Sequence, residues 1–283
     1  MELTLASSTR EISLNSDSIY LQPDLEGLTG LPNIRSTNGV AAGSDGGWTS
    51  AQFFDARSIS IKCVIANEDE KIVENKRREL MSLLAQGKTE ELELRFTTSA
   101  GNAYMVKARV TATTAPLGQI LKKQDVLIQL RADDPLIYAY NEEGGTVATL
   151  FVLKATGGFE IPFQIPLVIT GGEGYTAVSN VGTEVVYPTI VLNGPLHNPQ
   201  VINQTNNQKI ELVNTTLSST DVVEIDTRTR TVTLNGSDVY DYLSEDSSFL
   251  QLEPGDNTMA LISDTASDTG SAQIKFKQGF ITI

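Results

Sequence analysis

The chain of 283 residues is poor in the side chains on which most catalysis and cross-linking depend. It has a single cysteine, Cys63, and a single histidine, His197. One cysteine closes no internal disulfide, and one histidine builds no histidine-rich metal site. Cations are scarce as well. Against 35 Asp/Glu there are only 21 Lys/Arg, leaving a formal charge of −14 and a pI near 4.5. A surface of that sign repels phosphate backbones, which excludes a general nucleic-acid binder. No run approaches the roughly 18 apolar residues of a spanning helix. The opening Met1-Glu2-Leu3-Thr4 is acidic and has no basic region leading into an apolar one, so folding in a cytosol is expected. No repeat of fixed period occurs.

What is present is enough apolar content, 40% of residues, to build the core of one large or two ordinary domains. Charge divides the chain. Residues 1–140 carry a net −3 and residues 141–283 a net −11, and the shift follows Asp133-Asp134-Pro135. This places a domain boundary near 140, with a Gly- and Pro-containing stretch from Gly144 to Pro166 as linker or first strands of the second domain.

Strand patterns dominate both parts. Ile59, Ile61, Cys63 and Ile65 alternate with Ser58, Ser60 and Lys62. Leu92, Leu94 and Phe96 alternate with Glu91, Glu93 and Arg95. Tyr104 to Val110 and Val126 to Leu130 repeat the period, as do 222–226, 231–234, 257–262 and 272–276 in the second part. Asn193-Gly194, Asn235-Gly236 and Pro254-Gly255-Asp256-Asn257 supply turns. One helix is expected over 68–86, capped by Asn67 with Glu70 three residues on, carrying Ile72, Val73, Lys76, Leu80, Leu83 and Leu84 on one face and stopped by Gly87. The expected fold class is mainly β with one amphipathic helix: an N-terminal β-barrel or sandwich crossed by the helix, then a C-terminal sandwich or jelly roll.

Chemical motifs fail one by one. His197 lies in the turn-rich Asn193-Gly194-Pro195-Leu196-His197-Asn198-Pro199, and no G-x-S-x-G elbow accompanies it. Cys63 sits on the apolar side of a strand, where a thiol is inert. Asp264 to Gly270 is acidic but lacks calcium-loop spacing and reads as a solvated hairpin tip. Gly171-Gly172-Glu173-Gly174 lacks the strand, helix and lysine of a phosphate loop. The N-x-S/T sequons at Asn203, Asn214 and Asn235 carry no meaning without a secretory signal. Tyr240-Asp241-Tyr242 is the one aromatic cluster in a Trp-free second domain with a shape suited to a sugar, though packing tyrosines explain it as well. No catalytic residue, metal ligand or cofactor site is implied.

One stretch fits no element. Between Pro23 and Trp48 lie six glycines and an apolar stripe, Leu25, Leu28, Leu31 and Ile34, with Pro32 inside it. An irregular segment of that length is either an Ω-loop covering its own domain or an arm laid on a neighbouring subunit. Leu25, Leu28, Leu31, Pro32 and Ile34 are the expected interface residues of such an arm.

Glu26-Gly27-Leu28-Thr29-Gly30-Leu31-Pro32-Asn33-Ile34-Arg35, Asp45-Gly46-Gly47, the arginine-led strand Arg57-Ser58-Ile59-Ser60-Ile61-Lys62, the helix, and Ala132-Asp133-Asp134-Pro135-Leu136-Ile137-Tyr138 come in sequence. Then follow Gly158-Phe159-Glu160-Ile161-Pro162-Phe163, Asn180-Val181-Gly182-Thr183, Tyr187 to Pro195, Asn198-Pro199, Ile202-Asn203, Glu224 to Val232 and Leu252-Glu253-Pro254-Gly255-Asp256-Asn257. Each is plain turn and strand chemistry. As an ordered set over nearly the whole chain, they resemble the distal tail protein (Dit) family of long-tailed siphovirus phages. The resemblance implies a ring-forming N-terminal β domain over 1–140 and a galectin-like C-terminal β-sandwich over 141–283; the sequence departs from the family in that its second domain is a single compact unit with no inserted carbohydrate-binding module. It implies a structural, non-enzymatic hub of the tail tip or baseplate. That hub would be a hexameric ring joining the tail tube and the tape-measure end to the tail-tip fibre or lysin protein, with DNA passing through without specific binding. It also implies a virion location after assembly in the host cytoplasm, and no membrane insertion. The alternative is a carbohydrate-binding adhesion module; another ring component of the tail and, last, an enzyme stand behind it.

Overall fold

The alternating patterns of the first part become one wrapped sheet, and those of the second part become two facing ones. The computed structural model describes every residue except 1, 17, 22–24, 117–121, 142–144, 154–174 and 266. The 158–163 motif, the 171–174 turn and most of the 144–166 stretch lie outside the described residues. Two compact units result, Met1–Asn141 with Phe280–Ile283, and Glu142–Gly279.

The first unit contains β1 (Glu2–Ala6), β2 (Glu11–Ser13), β3 (Ile19–Leu21), β4 (Ile34–Arg35), β5 (Asn38–Val40), β6 (Gly47–Thr49), β7 (Phe53–Phe54), β8 (Arg57–Ala66), α1 (Glu70–Gln86), β9 (Leu92–Thr97), β10 (Ala103–Thr114), β11 (Lys123–Ala132) and β12 (Ile137–Ala139). The main sheet runs β2-β1-β9-β10-β11-β8-β3, with β12 also on β10. The long β10 serves both halves. Residues 103–108 pair with β9, residues 109–114 pair with β11, and the register shifts between Val110 and Ala112. Such a shift bends a strand, and here it lets the sheet curl into a nearly closed barrel around its own apolar face. Leu3, Leu5, Ile59, Ile61, Cys63, Ile65, Leu94, Val106, Ile128 and Leu130 fill that core. Burial pushes the Cys63 thiol up to about 11, which keeps it protonated at neutral pH.

Helix α1 packs Val73, Leu80, Leu83 and Leu84 on this core. Its ends differ from expectation. The N-cap is Asp69, whose carboxylate accepts from the Lys71 amide at 2.9 Å. Asn67 instead accepts from the Asp69 amide and donates to Ser18 Oγ, an Asx turn one step earlier. Gly87 is right-handed, φ −59°. Glycine stands there because a Cβ would meet a Val110 methyl at 2.6 Å. Ile72, in the first turn, is exposed.

The second unit contains β13 (Thr146–Phe151), β14 (Thr176–Asn180), β15 (Thr189–Asn193), β16 (Leu196–His197), β17 (Gln200–Asn203), β18 (Gln208–Glu211), β19 (Thr216–Leu217), β20 (Val222–Asp226), β21 (Thr231–Leu234), β22 (Ser237–Asp238), β23 (Gly255–Ile262) and β24 (Ser271–Phe276). One sheet runs β13-β24-β15-β20-β21-β22 and the other β14-β23-β17-β18. Leu150, Ile190, Leu192, Val223, Ile225 and Ile274 from the first meet Val178, Val201, Ile210, Met259 and Leu261 from the second in a single core, which makes the unit a β-sandwich. A last strand, β25 (Gly279–Phe280), pairs with β12. The boundary read from charge therefore misses the end of the chain: Phe280–Ile283 count with the first unit, where the Phe280 ring stands edge-on to Tyr104 at 5.6 Å.

Candidate assembly interface

From Ile34 onward the segment expected to be irregular forms a β-hairpin that runs on to Phe54. β4 pairs with β7 (Ile34↔Phe54, Arg35↔Phe53), and β5 pairs with β6 (Asn38↔Thr49, Gly39↔Trp48, Val40↔Gly47). Between the two ladders, the Ser50 amide donates to the Thr37 carbonyl and the Thr37 amide to Ser50 Oγ. Gly43 and Gly46 turn the tip with positive φ. Gly39 leaves room for the indole opposite it; a Cβ there would lie 2.4 Å from the Trp48 ring. The Arg35 guanidinium lies 6.0 Å from the centre of the Phe53 ring.

None of residues 33–55 is buried. The hairpin nonetheless carries Val40 (87% exposed), Phe53 (61%), Trp48 (56%), Ile34 (52%) and Phe54 (36%). A two-stranded hairpin alone is marginal in water, and an apolar one without a core partner is an interaction surface by default.

The five expected interface residues divide. Leu31 and Ile34 are exposed. Leu28 is in the core of its own unit, Leu25 packs partly against that core, and Pro32 is buried. In the free chain these three anchor the arm rather than project from it. The stripe spacing that suggested one shared face fails because the backbone turns sharply at Gly27, φ 92°. That turn presses against β8, where a Cβ on Gly27 would sit 2.0 Å from the Ser58 carbonyl oxygen, so no other residue fits. Val40, Trp48, Phe53 and Phe54 escaped the sequence reading. Their signal was a turn cluster, Gly43-Ser44-Asp45-Gly46, flanked by Val40 and by Trp48-Thr49.

At the root of this arm stands Arg57, 1% exposed. Nη1 donates to the Gly27 and Gly30 carbonyls at 2.6 and 2.9 Å, Nε to Pro135 at 2.9 Å, and Nη2 to Ile281 at 2.5 Å. Desolvation lowers its pKa; a guanidinium stays charged even so. The separate motifs around Gly27, Arg57 and Pro135 thus converge on one side chain.

The second unit locks its loops with neutral amides. Asn180, Asn203 and Asn257 are fully buried. Asn257 Nδ2 donates to the Glu253 and Gly255 carbonyls, Asn203 Nδ2 to Gln251, and Asn180 Nδ2 to Glu184 and Leu252. The Asn203 sequon is therefore structural. His197 lies in β16 and meets the buried Asp268 through Nδ1. Asp268 also accepts from Ser263 Oγ and from the His197 amide. The expected solvated tip is thus pinned at Asp268, and Ser263 bonds the carboxylate instead of the imidazole, an order unsuited to nucleophilic attack. Burial pushes the Asp268 carboxyl up, but these hydrogen bonds outweigh it and hold the group below the ordinary carboxylate value. Tyr240 and Tyr242 are exposed on a single 3-10 turn, Tyr240 stacking on Phe249. Among the described residues no group of three or more His, Cys, Asp or Glu is placed to hold a metal ion, and no helix is long and apolar enough to cross a membrane.

Two family models match successive parts of the chain. Residues 8–132 match the phage tail protein RIFT-related domain, and residues 181–280 match the siphovirus-type tail component, C-terminal domain. The chain belongs to the siphovirus distal tail (Dit) family. It is similar over its length to the SPP1 Dit protein (gp 19.1), described as a paradigm of the hub adsorption apparatus in phages infecting Gram-positive hosts. The identity is 18% and the TM-score 0.68, over 98% of this chain and 99% of that one. A chain of the phage p2 baseplate in its activated conformation with calcium matches at 12% identity and TM-score 0.53, over 97% of both chains. The strontium form matches at 12% and 0.53, over 96% of this chain and 97% of that one. At these identities the likeness to solved structures is one of fold. No curated protein matches. The family makes the chain a structural component of the phage tail and so of the virion.

Proposed function

We propose that this protein is a non-enzymatic hub subunit whose copies close a hexameric ring at the tail tip. The ring joins the tail tube and tape-measure end to the tail-tip fibre, lysin or baseplate proteins and leaves a lumen for DNA. The observation that carries this reading is the arm: five large apolar side chains sit on a hairpin none of whose residues its own unit buries. A ring closes through heterologous contacts, in which a projecting element of one copy meets a different surface of the next. The net charge of −14 opposes non-specific capture of DNA in transit.

Trp48 is the only tryptophan and reports on the arm directly. Solution mass and negative-stain images of the full chain, alone and with its neighbouring tail proteins, are expected to give a six-copy ring. A blue shift of Trp48 emission should accompany assembly. A chain that stays monomeric with every partner, with Trp48 still wet, would sink the reading. The exposed Tyr240 and Tyr242 favour a second reading, a saccharide-contacting surface on the second unit. Glycan-array binding by the full chain that is lost in a Tyr240→Ala, Tyr242→Ala variant would support it.

A further inference from the structure

The arm has no packing of its own to aim it. Its direction depends on where its two strands join the first unit. One join is β8 itself. The other is the turn 26–32, which bridges to β8 through Glu26 and Ser60 and drops Leu28 into the core.

Three carbonyls of that turn are held from outside it. Gly27 and Gly30 accept from Arg57, and Thr29 accepts from Thr282 Oγ1 at 2.8 Å. Arg57 in turn holds the Ile281 carbonyl, and Phe280 is seated on Tyr104. All of these residues belong to the first unit. A guanidinium spread over carbonyls from three separate segments is a fixed fork, and its geometry sets the spacing of the groups it binds.

We propose that Arg57 and residues 280–283 form a clasp on the root of the arm. Arg57 is then a positioning residue: it orders and aims hairpin 33–55 for its contact with a second copy. The last residues of this stretch, although they follow the whole second unit in the chain, hold the arm in register. The role in assembly rests on the hub reading, but the clasp itself is a property of the free chain.

Hydrogen exchange of the unassembled full-length protein tests it. In Arg57→Lys, which keeps the charge but not the fork, amides of residues 26–55 should exchange roughly tenfold faster or more. Amides of β1, β9 and β10, which share the same core, should keep their rates. Thr282→Val, which removes one hydroxyl at the surface and cannot unfold the unit, should produce the same localised change at about fivefold. Trp48 fluorescence anisotropy should fall in both. Unchanged exchange over 26–55 in the Thr282→Val protein, or acceleration spread evenly over β1, β9 and β10 in both variants, would overturn the clasp. Because no step requires a ring, a localised effect in a protein that never assembles would uphold the clasp and reject the hub reading. Normal rings from variants with unaltered exchange would do the reverse.

Discussion

The two units solve one problem in different ways. Each must fix long loops on a small β core by giving buried backbone carbonyls a donor. The first uses a single cation, Arg57, reaching four carbonyls in three segments. The second spreads the task over three neutral amides, Asn180, Asn203 and Asn257, which share the carbonyls of residues 251–255. Amides cost less to bury than a charge, and three of them share the load here. A guanidinium costs more to bury, but one side chain reaches all three segments at once. The difference follows what the loops carry. Those of the second unit only close a sandwich, whereas the loop held by Arg57 bears the exposed arm, whose use depends on its direction.

The hardest way to break this comparison is Arg57→Met. Several carbonyls lose their donor out of reach of water, and the first unit should lose roughly 3 kcal/mol or more in denaturant melts. A loss no larger than that of one asparagine would erase the contrast. Leu28→Ala should cost about 2–5 kcal/mol, because Leu28 is an anchor in the core, while Leu31→Ala should stay within about 0.5 kcal/mol. Equal effects at the two sites would return Leu28 to the exposed stripe. Asn257→Ala should cost about 1–3 kcal/mol in the second unit and leave Trp48 emission untouched. Acid should act on the second unit through Asp268. Its folded pKa is depressed, so its contribution is present above the ordinary value of 3.8 and is lost as pH falls from there toward the lower folded value. The same titration in Asp268→Asn should flatten that part of the stability curve. The smallest change in stability belongs to the Trp48→Ala, Phe53→Ala pair, within about 0.5 kcal/mol by melting, although ring formation should be lost in light scattering.

Periodicity exposed the parts of the fold that bury one face. The alternation at Ile59, Ile61, Cys63 and Ile65 and the helical spacing of Val73, Leu80, Leu83 and Leu84 both reflect a side that must leave water, and the structure buries those residues. The arm defeated the same test because it has no buried side. Its apolar residues are few, split by glycines, and face solvent on both surfaces of the hairpin. The stripe at Leu25, Leu28, Leu31 and Ile34 misled for a related reason: equal spacing means a shared face only in a regular element, and Gly27 breaks the backbone between them.

Composition and pattern by themselves determined a β-rich chain with one helix, two regions of unequal charge and a single inert thiol, because each of these is set by neighbouring residues or simple counts. Only the tertiary structure decided that Leu28 is anchor and Trp48 is surface, and that Phe280–Ile283 return to the first unit. It alone brought Gly27, Arg57, Pro135 and Ile281 to one point. Such contacts join residues far apart in the chain, and no local spacing encodes which carbonyl a buried guanidinium will find.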